Sequence, residues 1–232
     1  MAVALEVLDN PVWSSIVEAH PTLAKLAVDG GAGCYLRDVS PFSAVRDPGH
    51  PTCWAALASV LDGHTTAVII DPDDLPADWE VVLKIPGVQM DGTKLEVAED
   101  REAVRLSLAD VPEMLALVER AQPGPFLPRT VEMGRFVGFR DRDGGLIAMA
   151  GERLQPTGWT EISAVCTDEA YRGRGLGSRL VRDVAAAIRA RGGLPFLHAS
   201  AENVNAIRLY ESLGFTLRRT CFFTIVKPPA AG

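Results

Sequence analysis

The stretch Arg172-Gly-Arg-Gly-Leu-Gly177 constrains this chain more than any other segment of its length. It follows a β-branched and aromatic run from Trp159 to Thr167 and opens an amphipathic pattern carried by Leu176, Leu180, Val181, Val184 and Ile188. Glycines between a strand and a helix permit positive φ and let a ligand approach the backbone closely. The first amides of the helix, which lack intrahelical acceptors, face the same space, and the helix macrodipole adds about half a positive charge there. Such a turn suits a diphosphate, with Arg172 and Arg174 adding charge. A tight connection that merely uses glycine is the competing reading. Two other phosphate turns fail on spacing. A GxGxxG dinucleotide fingerprint needs its third glycine where Ser178 or Leu180 stands, and no acid follows between Leu194 and Ala201 to hold a ribose. No Gly-Lys-Ser/Thr follows either, which excludes a P-loop.

The flanking patterns predict an α/β fold. Beyond residue 102 they give a strand over 103–108, then a helix carrying Met114, Leu115, Leu117 and Val118 and opened by a capping box, Asp110-Val-Pro-Glu113. A hairpin follows, its strands 135–140 and 146–150 turning at Asp141-Arg-Asp-Gly-Gly145. Then come the strand 159–167, a helix ending at Gly192-Gly193, a strand over 195–199, a helix over 203–213 and strands from Phe215 to Val226. A hairpin followed by alternating strands and helices predicts a mixed sheet flanked by helices. In the first half, Asn10-Pro11 opens a helix interrupted at His20-Pro21, Asp29 to Gly33 is a turn, and Pro51 starts a helix stopped by Asp62-Gly63. Thr65 to Ile70 reads as a strand, Asp71 to Asp78 as a loop, and Trp79 to Ile85 as a strand closed by Pro86-Gly87. The acidic stretch 91–102 marks a boundary between a smaller N-terminal α/β lobe, 1–95, and a second domain, 100–232.

Composition limits the function classes. The chain has 232 residues, 47% hydrophobic and 23% charged, enough for a true core. No apolar run approaches the roughly 20 residues of a membrane helix, and the N-terminus lacks the pattern of a signal peptide, so a cytoplasmic protein with no membrane partner is expected. The four cysteines form no CxxC and the four histidines no HxxxH, so neither a disulfide framework nor a metal site is indicated. The net charge of −7 divides into −11 over residues 1–100 and +4 over 101–232. An anionic small molecule would be drawn to the second half. Nucleic acid is a poor partner, because the cations are unclustered and the acidic half repels phosphates. The oligomeric state, homodimer included, is not readable.

Two motifs then make a resemblance specific. Arg172, Gly175 and Gly177 fit R/Q-x-x-G-x-G/A between a strand and a helix, the acyl-CoA motif of the GNAT superfamily of N-acetyltransferases. Downstream, Asn203-Val-Asn-Ala206-Ile-Arg-Leu-Tyr210-Glu-Ser-Leu-Gly214-Phe215 is similar to that family's N-x-x-A-x-x-L-Y-x-x-x-G-F. The resemblance spans residues 100 to 227; the preceding lobe resembles only loosely the N-terminal half of the glycine N-acyltransferase-like branch. It implies a GNAT-type mixed central sheet in which strands 159–167 and 195–199 are parallel neighbours that splay apart. It further implies acetyl-CoA as acyl donor. Backbone groups of Val165, Cys166 and Thr167 would pair with the pantetheine, and one of the pantetheine amides would polarise the thioester carbonyl. Arg172, Gly173, Arg174, Gly175, Leu176, Gly177 and Ser178 would hold the diphosphate, and Asn203 would touch the arm of the cofactor.

An amine of pKa about 10 must lose a proton before it attacks, at a cost of about 4 kcal/mol at pH 7. Glu161 stands where histone-type members of the family carry a glutamate base, with Ser163 projecting to the same side. A solvent-facing Glu161, or a water chain in its place, is the alternative. Tyr210 occupies the family's acid position and would reprotonate the leaving thiolate; packing on the face shared with Ala206, Ile207 and Leu213 would also account for it. Asn205 reads as a helix cap. Cys166 has no neighbouring histidine and is not a nucleophile, and His198 reads as a core or cleft residue. The implied activity is transfer of an acetyl or short acyl group from CoA to a primary amine by direct attack. The alternative is a module of the same fold that binds or senses acyl-CoA. The acceptor would be a small-molecule or peptide amine, shaped by the first lobe, the helix 111–121 and a lid with Pro123, Pro125 and Pro128. The acidic first half favours a cationic acceptor such as a polyamine or aminoglycoside.

Overall fold

The amphipathic run after the glycine turn folds as α4 (Leu176–Ala190), which buries Leu180, Val181, Val184, Ala185 and Ile188 against one face of a large sheet. The computed structural model describes residues 4–61, 66–72 and 74–229. Its main sheet has the strand order β4 (Ala67–Ile70), β11 (Thr216–Lys227), β5 (Glu80–Asp91), β10 (Leu194–Ser200), β9 (Trp159–Thr167), β8 (Leu146–Glu152), β7 (Phe136–Arg140) and β6 (Val104–Leu106). Only β9 and β10 pair in parallel; every other ladder is antiparallel, which makes the sheet mixed as expected. The predicted hairpin at Asp141–Gly145 forms, its turn closed by the Asp141 carboxylate, which accepts from the amides of Asp143 and Gly145. Helices α3 (Val111–Ala121) and α5 (Val204–Leu213) cover further parts of the sheet. No helix among the described residues is long and apolar enough to cross a membrane.

The first half contributes a three-stranded sheet of β1 (Ala24–Leu26), β2 (Ala32–Tyr35) and β3 (Ser43–Val45), with α1 (Pro11–Ser14) and α2 (Pro51–Val60). Its side chains share a core with the main sheet, where Leu8, Ile16, Tyr35 and Phe42 cluster with Met133, Trp159, Phe196 and Cys221. The expected stop of α2 at Asp62-Gly63, and Thr65 at the start of β4, lie outside the described residues.

Three local expectations are corrected. Pro86-Gly87 does not close a strand; it lies inside β5, with Pro86 opposite Phe222 and Gly87 opposite Cys221 on β11. Proline is tolerated there because its nitrogen faces away from β11, whose Phe222 bonds Asp71 instead, and toward the point where β10 ends at Ser200, opposite Gly87. The Pro86 carbonyl accepts from the Ala201 amide, one residue past that end. Glycine at 87 is a packing requirement, since a Cβ would lie 2.6 Å from the Phe223 ring. The capping box sits one turn earlier than expected: Ser107 and Asp110 cap each other across a short 3-10 turn, and Asp110 and Glu113 both bind Arg140. The α5 cap is Asn203, whose side chain accepts from the Ala206 amide, and not Asn205.

The acidic stretch 91–102 does not divide the sheet. Strands β4 and β5 come from before it and bracket β11, so residues 1–95 supply two strands of the sheet that the rest of the chain completes.

Candidate active site

Strands β9 and β10 are zipped together only at their start. Trp159, Thr160 and Glu161 pair with Leu194, Pro195 and Phe196, and there the ladder ends. Beyond that point β8 keeps β9 and β5 keeps β10, so the two strands diverge and leave facing backbone groups without a strand partner. A bulge in β9 sharpens the divergence. Met149 pairs with Cys166 and Gly151 with Ser163, which leaves Ala164 and Val165 opposite Ala150 alone, with Ala164 at φ +53°. An alanine in that region is strained by roughly 1 kcal/mol relative to glycine, and such strain gathers where a backbone is re-aimed.

Between the strands lies a chamber of about 540 Å³. Ile162, Ser163, Ala164 and Val165 of β9 line one wall, and His198, Ala199 and Ser200 of β10 another. Asn203, Ala206 and Tyr210 of α5 complete that side, and Gln122 to Pro125 with Leu127 form a rim, which is where the proline-bearing lid was expected. The far wall holds Phe42, Val68, Phe223 and Ile225. No Asp or Glu among the described residues lines the chamber, so the net charge of the first half is a poor guide to the acceptor. Cys166 and Thr167 lie outside the lining; Cys166 is buried, and burial pushes its thiol up to about 12, which leaves it inert as a nucleophile at neutral pH.

Beside the chamber the glycine turn forms as predicted. Gly173 and Gly175 have φ of +77° and +72°, and a Cβ on either would meet nothing within 4 Å, so both border open space. Gly177 instead faces inward, where a Cβ would lie 3.8 Å from Thr167 and Val165 on β9, and this seats the start of α4 against the diverging strand. Leu176, Gly177 and Ser178 form the first turn of α4, whose amides lack intrahelical acceptors. Arg172 and Arg174 are exposed and pair with no carboxylate among the described residues, while Arg174 stacks on the Tyr171 ring at 4.9 Å. These residues fit a diphosphate: free amides, open glycine backbone and two uncommitted cations.

Tyr210 is 8% exposed and touches the chamber, and burial raises its hydroxyl to about 12. It is therefore protonated throughout the neutral range.

Glu161 lies elsewhere than the resemblance implies. It is fully buried behind Arg153 and His198, which line the chamber while Glu161 does not. Arg153 donates from Nε and Nη2 to the two carboxylate oxygens, each at 2.7 Å, and His198 Nδ1 donates to Oε1 at 2.7 Å. Burial by itself would raise the Glu161 pKa, but the charge and paired hydrogen bonds of Arg153, helped by His198, outweigh it and hold the carboxyl far below its usual range. A carboxylate so occupied is a poor proton acceptor, which argues against a base role, and its full burial overturns the solvent-facing alternative. Glu161 positions Arg153 and His198. The tautomer of His198 is set in turn by Gln89. Arg218, which can only donate, gives a hydrogen bond to Gln89 Oε1 at 2.8 Å, so the Gln89 NH₂ faces His198 Nε2 at 3.0 Å. His198 thus carries its proton on Nδ1.

Arg153, Gln89 and Phe42 were not identified from sequence, and no local signal marks them. Arg153 follows β8 and its guanidinium lies over the Phe42 ring, 4.9 Å from the centroid, a contact between distant parts of the chain.

Residues 136–224 match the FR47-like protein family. Mycothiol acetyltransferase of Corynebacterium glutamicum is 30% identical over 204 residues, 81% of this chain and 68% of that protein. The N-alpha-acetyltransferase RimI of Mycobacterium tuberculosis is 40% identical over 83 residues, 34% of this chain and 51% of that one. A crystal structure from Novosphingobium aromaticivorans, assigned to the GNAT family, shares 38% identity and a TM-score of 0.84 over 96% of this chain and 99% of that one. Diverging strands, a glycine cradle at a helix start and full-length similarity agree, and the chain belongs to the GNAT superfamily of N-acetyltransferases.

Proposed function

We propose that the protein transfers an acetyl group from acetyl-CoA to a primary amine by direct attack within the chamber. The unzipping of β9 from β10 after Glu161 and Phe196 carries this reading, because it leaves a slot with unpaired strand edges that leads from the glycine turn to Tyr210. In this reading the amides opening α4, with Arg172, Gly173, Arg174 and Gly175, hold the diphosphate. The free backbone of β9 from Ser163 to Val165 pairs with the pantetheine amides, Cys166 and Thr167 anchor that edge to β8, and Asn203 flanks the arm. Bound acetyl-CoA supplies an activated acyl carbon. The protein supplies alignment, exclusion of bulk water and a hydrogen-bond donor for the departing sulfur.

Tyr210 is that donor. A hydroxyl near 12 does not transfer its proton downhill to a thiolate near 8.5, so Tyr210 stabilises the developing thiolate by hydrogen bonding and solvent completes the protonation. With Glu161 committed to Arg153 and His198, the amine loses its proton to water at the chamber mouth. The logarithm of kcat/KM then climbs with unit slope up to the amine's own pKa, about 10. The test is release of CoA from acetyl-CoA against a panel of primary amines. Tyr210→Phe lowers kcat by about ten- to a hundredfold, the effect of one hydrogen bond to a charged group, and leaves acetyl-CoA affinity unchanged. No thermal shift or calorimetric signal with acetyl-CoA would defeat the reading.

A further inference from the structure

The chamber has one feature that acyl transfer does not require: a buried arginine with a donor to spare. Arg153 is 7% exposed, its Nε and Nη2 are taken by Glu161, and the Phe42 ring covers one face of its guanidinium. Nη1 has no hydrogen-bond partner among the described residues, yet it is not among the buried side-chain atoms without one, so it reaches the free space of the chamber that Arg153 lines. His198 stands beside it, sharing Glu161 Oε1, and the chamber's far wall is apolar: Phe42, Val68, Phe223 and Ile225. We propose that Arg153 is a specificity-determining residue whose Nη1 docks a neutral carbonyl oxygen of the acceptor, and that the acceptor is an amine with an apolar body carrying such an oxygen.

The charge balance selects this chemistry. Arg153 and Glu161 together are neutral, and the tautomer of His198 adds no charge. A second carboxylate would bring an uncompensated negative charge into a low-dielectric space, and a polycation would meet the guanidinium with no Asp or Glu among the described lining residues to offset it. A carbonyl oxygen accepts the spare hydrogen bond at no such cost, and the apolar walls bury the remainder of the molecule.

The inference rests on the transferase reading, and its test separates the two. Leucinamide and isoamylamine share an apolar body and a primary amine, but only the first has a carbonyl; its α-amine is also the less basic, with a pKa about 8 against about 10, so affinity and kcat/KM are each compared per free amine, from their pH dependence. Their binding to the protein saturated with CoA is measured by calorimetry, and their turnover by CoA release. Per free amine, leucinamide is expected to bind, and to be acetylated, about ten- to a hundredfold better, the range of a charge-assisted hydrogen bond. Arg153→Lys keeps the charge opposite Glu161 but leaves no planar fork for the ligand, and it is expected to bring that ratio close to one with CoA affinity unchanged. Equal affinity of the two amines for the wild type overturns the role of Arg153 whatever the turnover result, as does a ratio that survives in a folded Arg153→Lys. A preserved difference in affinity with no CoA release for any amine leaves the docking role standing and sinks the transferase reading alone.

Discussion

Replacing Glu161 with glutamine keeps the shape of the side chain and removes its charge. In the folded protein Glu161 is fully buried and accepts four hydrogen bonds, two from Arg153 and one from His198 at 2.7 Å each, and a longer one from the Leu154 amide at 3.4 Å. Breaking a buried pair costs about 3–5 kcal/mol, chiefly because the partner is left buried and uncompensated. Glutamine can still accept one bond from Arg153, so the lower end applies, about 3 kcal/mol. At about 2–4 °C per kcal/mol for a chain of this size, Tm falls by about 6–12 °C. Thermal and urea unfolding measure the loss, and CoA release at 20 °C, where the variant remains folded, measures activity, which should fall less than tenfold. The deficit also depends on pH. The Glu161 pKa is lowered on folding, so its stabilisation is fully present above its unfolded value near 4.3 and is lost as pH falls below that. The gap in Tm between wild type and variant should therefore narrow on acidification from pH 5 to pH 3. A Tm within 2 °C of wild type together with a thousandfold loss of turnover would refute the reasoning and restore Glu161 as the proton acceptor.

Gly175→Val places a branched side chain where the backbone has φ +72° and open space beyond it. Folding should be weakened by about 1–2 kcal/mol from backbone strain, whereas acetyl-CoA affinity, read by calorimetry, should fall at least a hundredfold; undiminished affinity would remove the diphosphate from this turn. Ala164→Gly should raise stability by up to about 1 kcal/mol in urea unfolding, because glycine adopts the φ of +53° without strain; a loss of stability would mean that the methyl group, 8% exposed in its cluster, matters more than the bulge.

Residues 103 to 227 were largely legible because their signals are local. The period of α4, the Asp-Gly-Gly turn before β8 and the glycines after β9 each state a conformation within a few residues, and the predicted bounds of β9, Trp159 to Thr167, are those observed. Strand β5 was only half legible. Pro86-Gly87 is strong turn chemistry taken alone, and only the end of β10 and the ring of Phe223 explain why a strand passes through it. Pairing between residues 80–91 and both 194–200 and 216–227 is a long-range decision that no local pattern announces. The small sheet β1–β3 escaped for a related reason, since its strands are only 3 or 4 residues long.

Glu161 shows the same limit in electrostatic form. Its place on the strand was legible, but the charge state of a carboxylate depends on what faces it, and its partners stand 8 and 37 residues away. Those partners come from the end of β8 and from β10, so the three side chains tie neighbouring strands together at the pair Glu161–Phe196, where the parallel ladder stops. A strong buried contact at that point holds the base of the notch closed while the strands beyond it part. The geometry that makes Glu161 unavailable to an amine is thus the geometry that fixes where the slot for the acyl donor begins, and it leaves Arg153 aimed into the chamber from the apex of the notch.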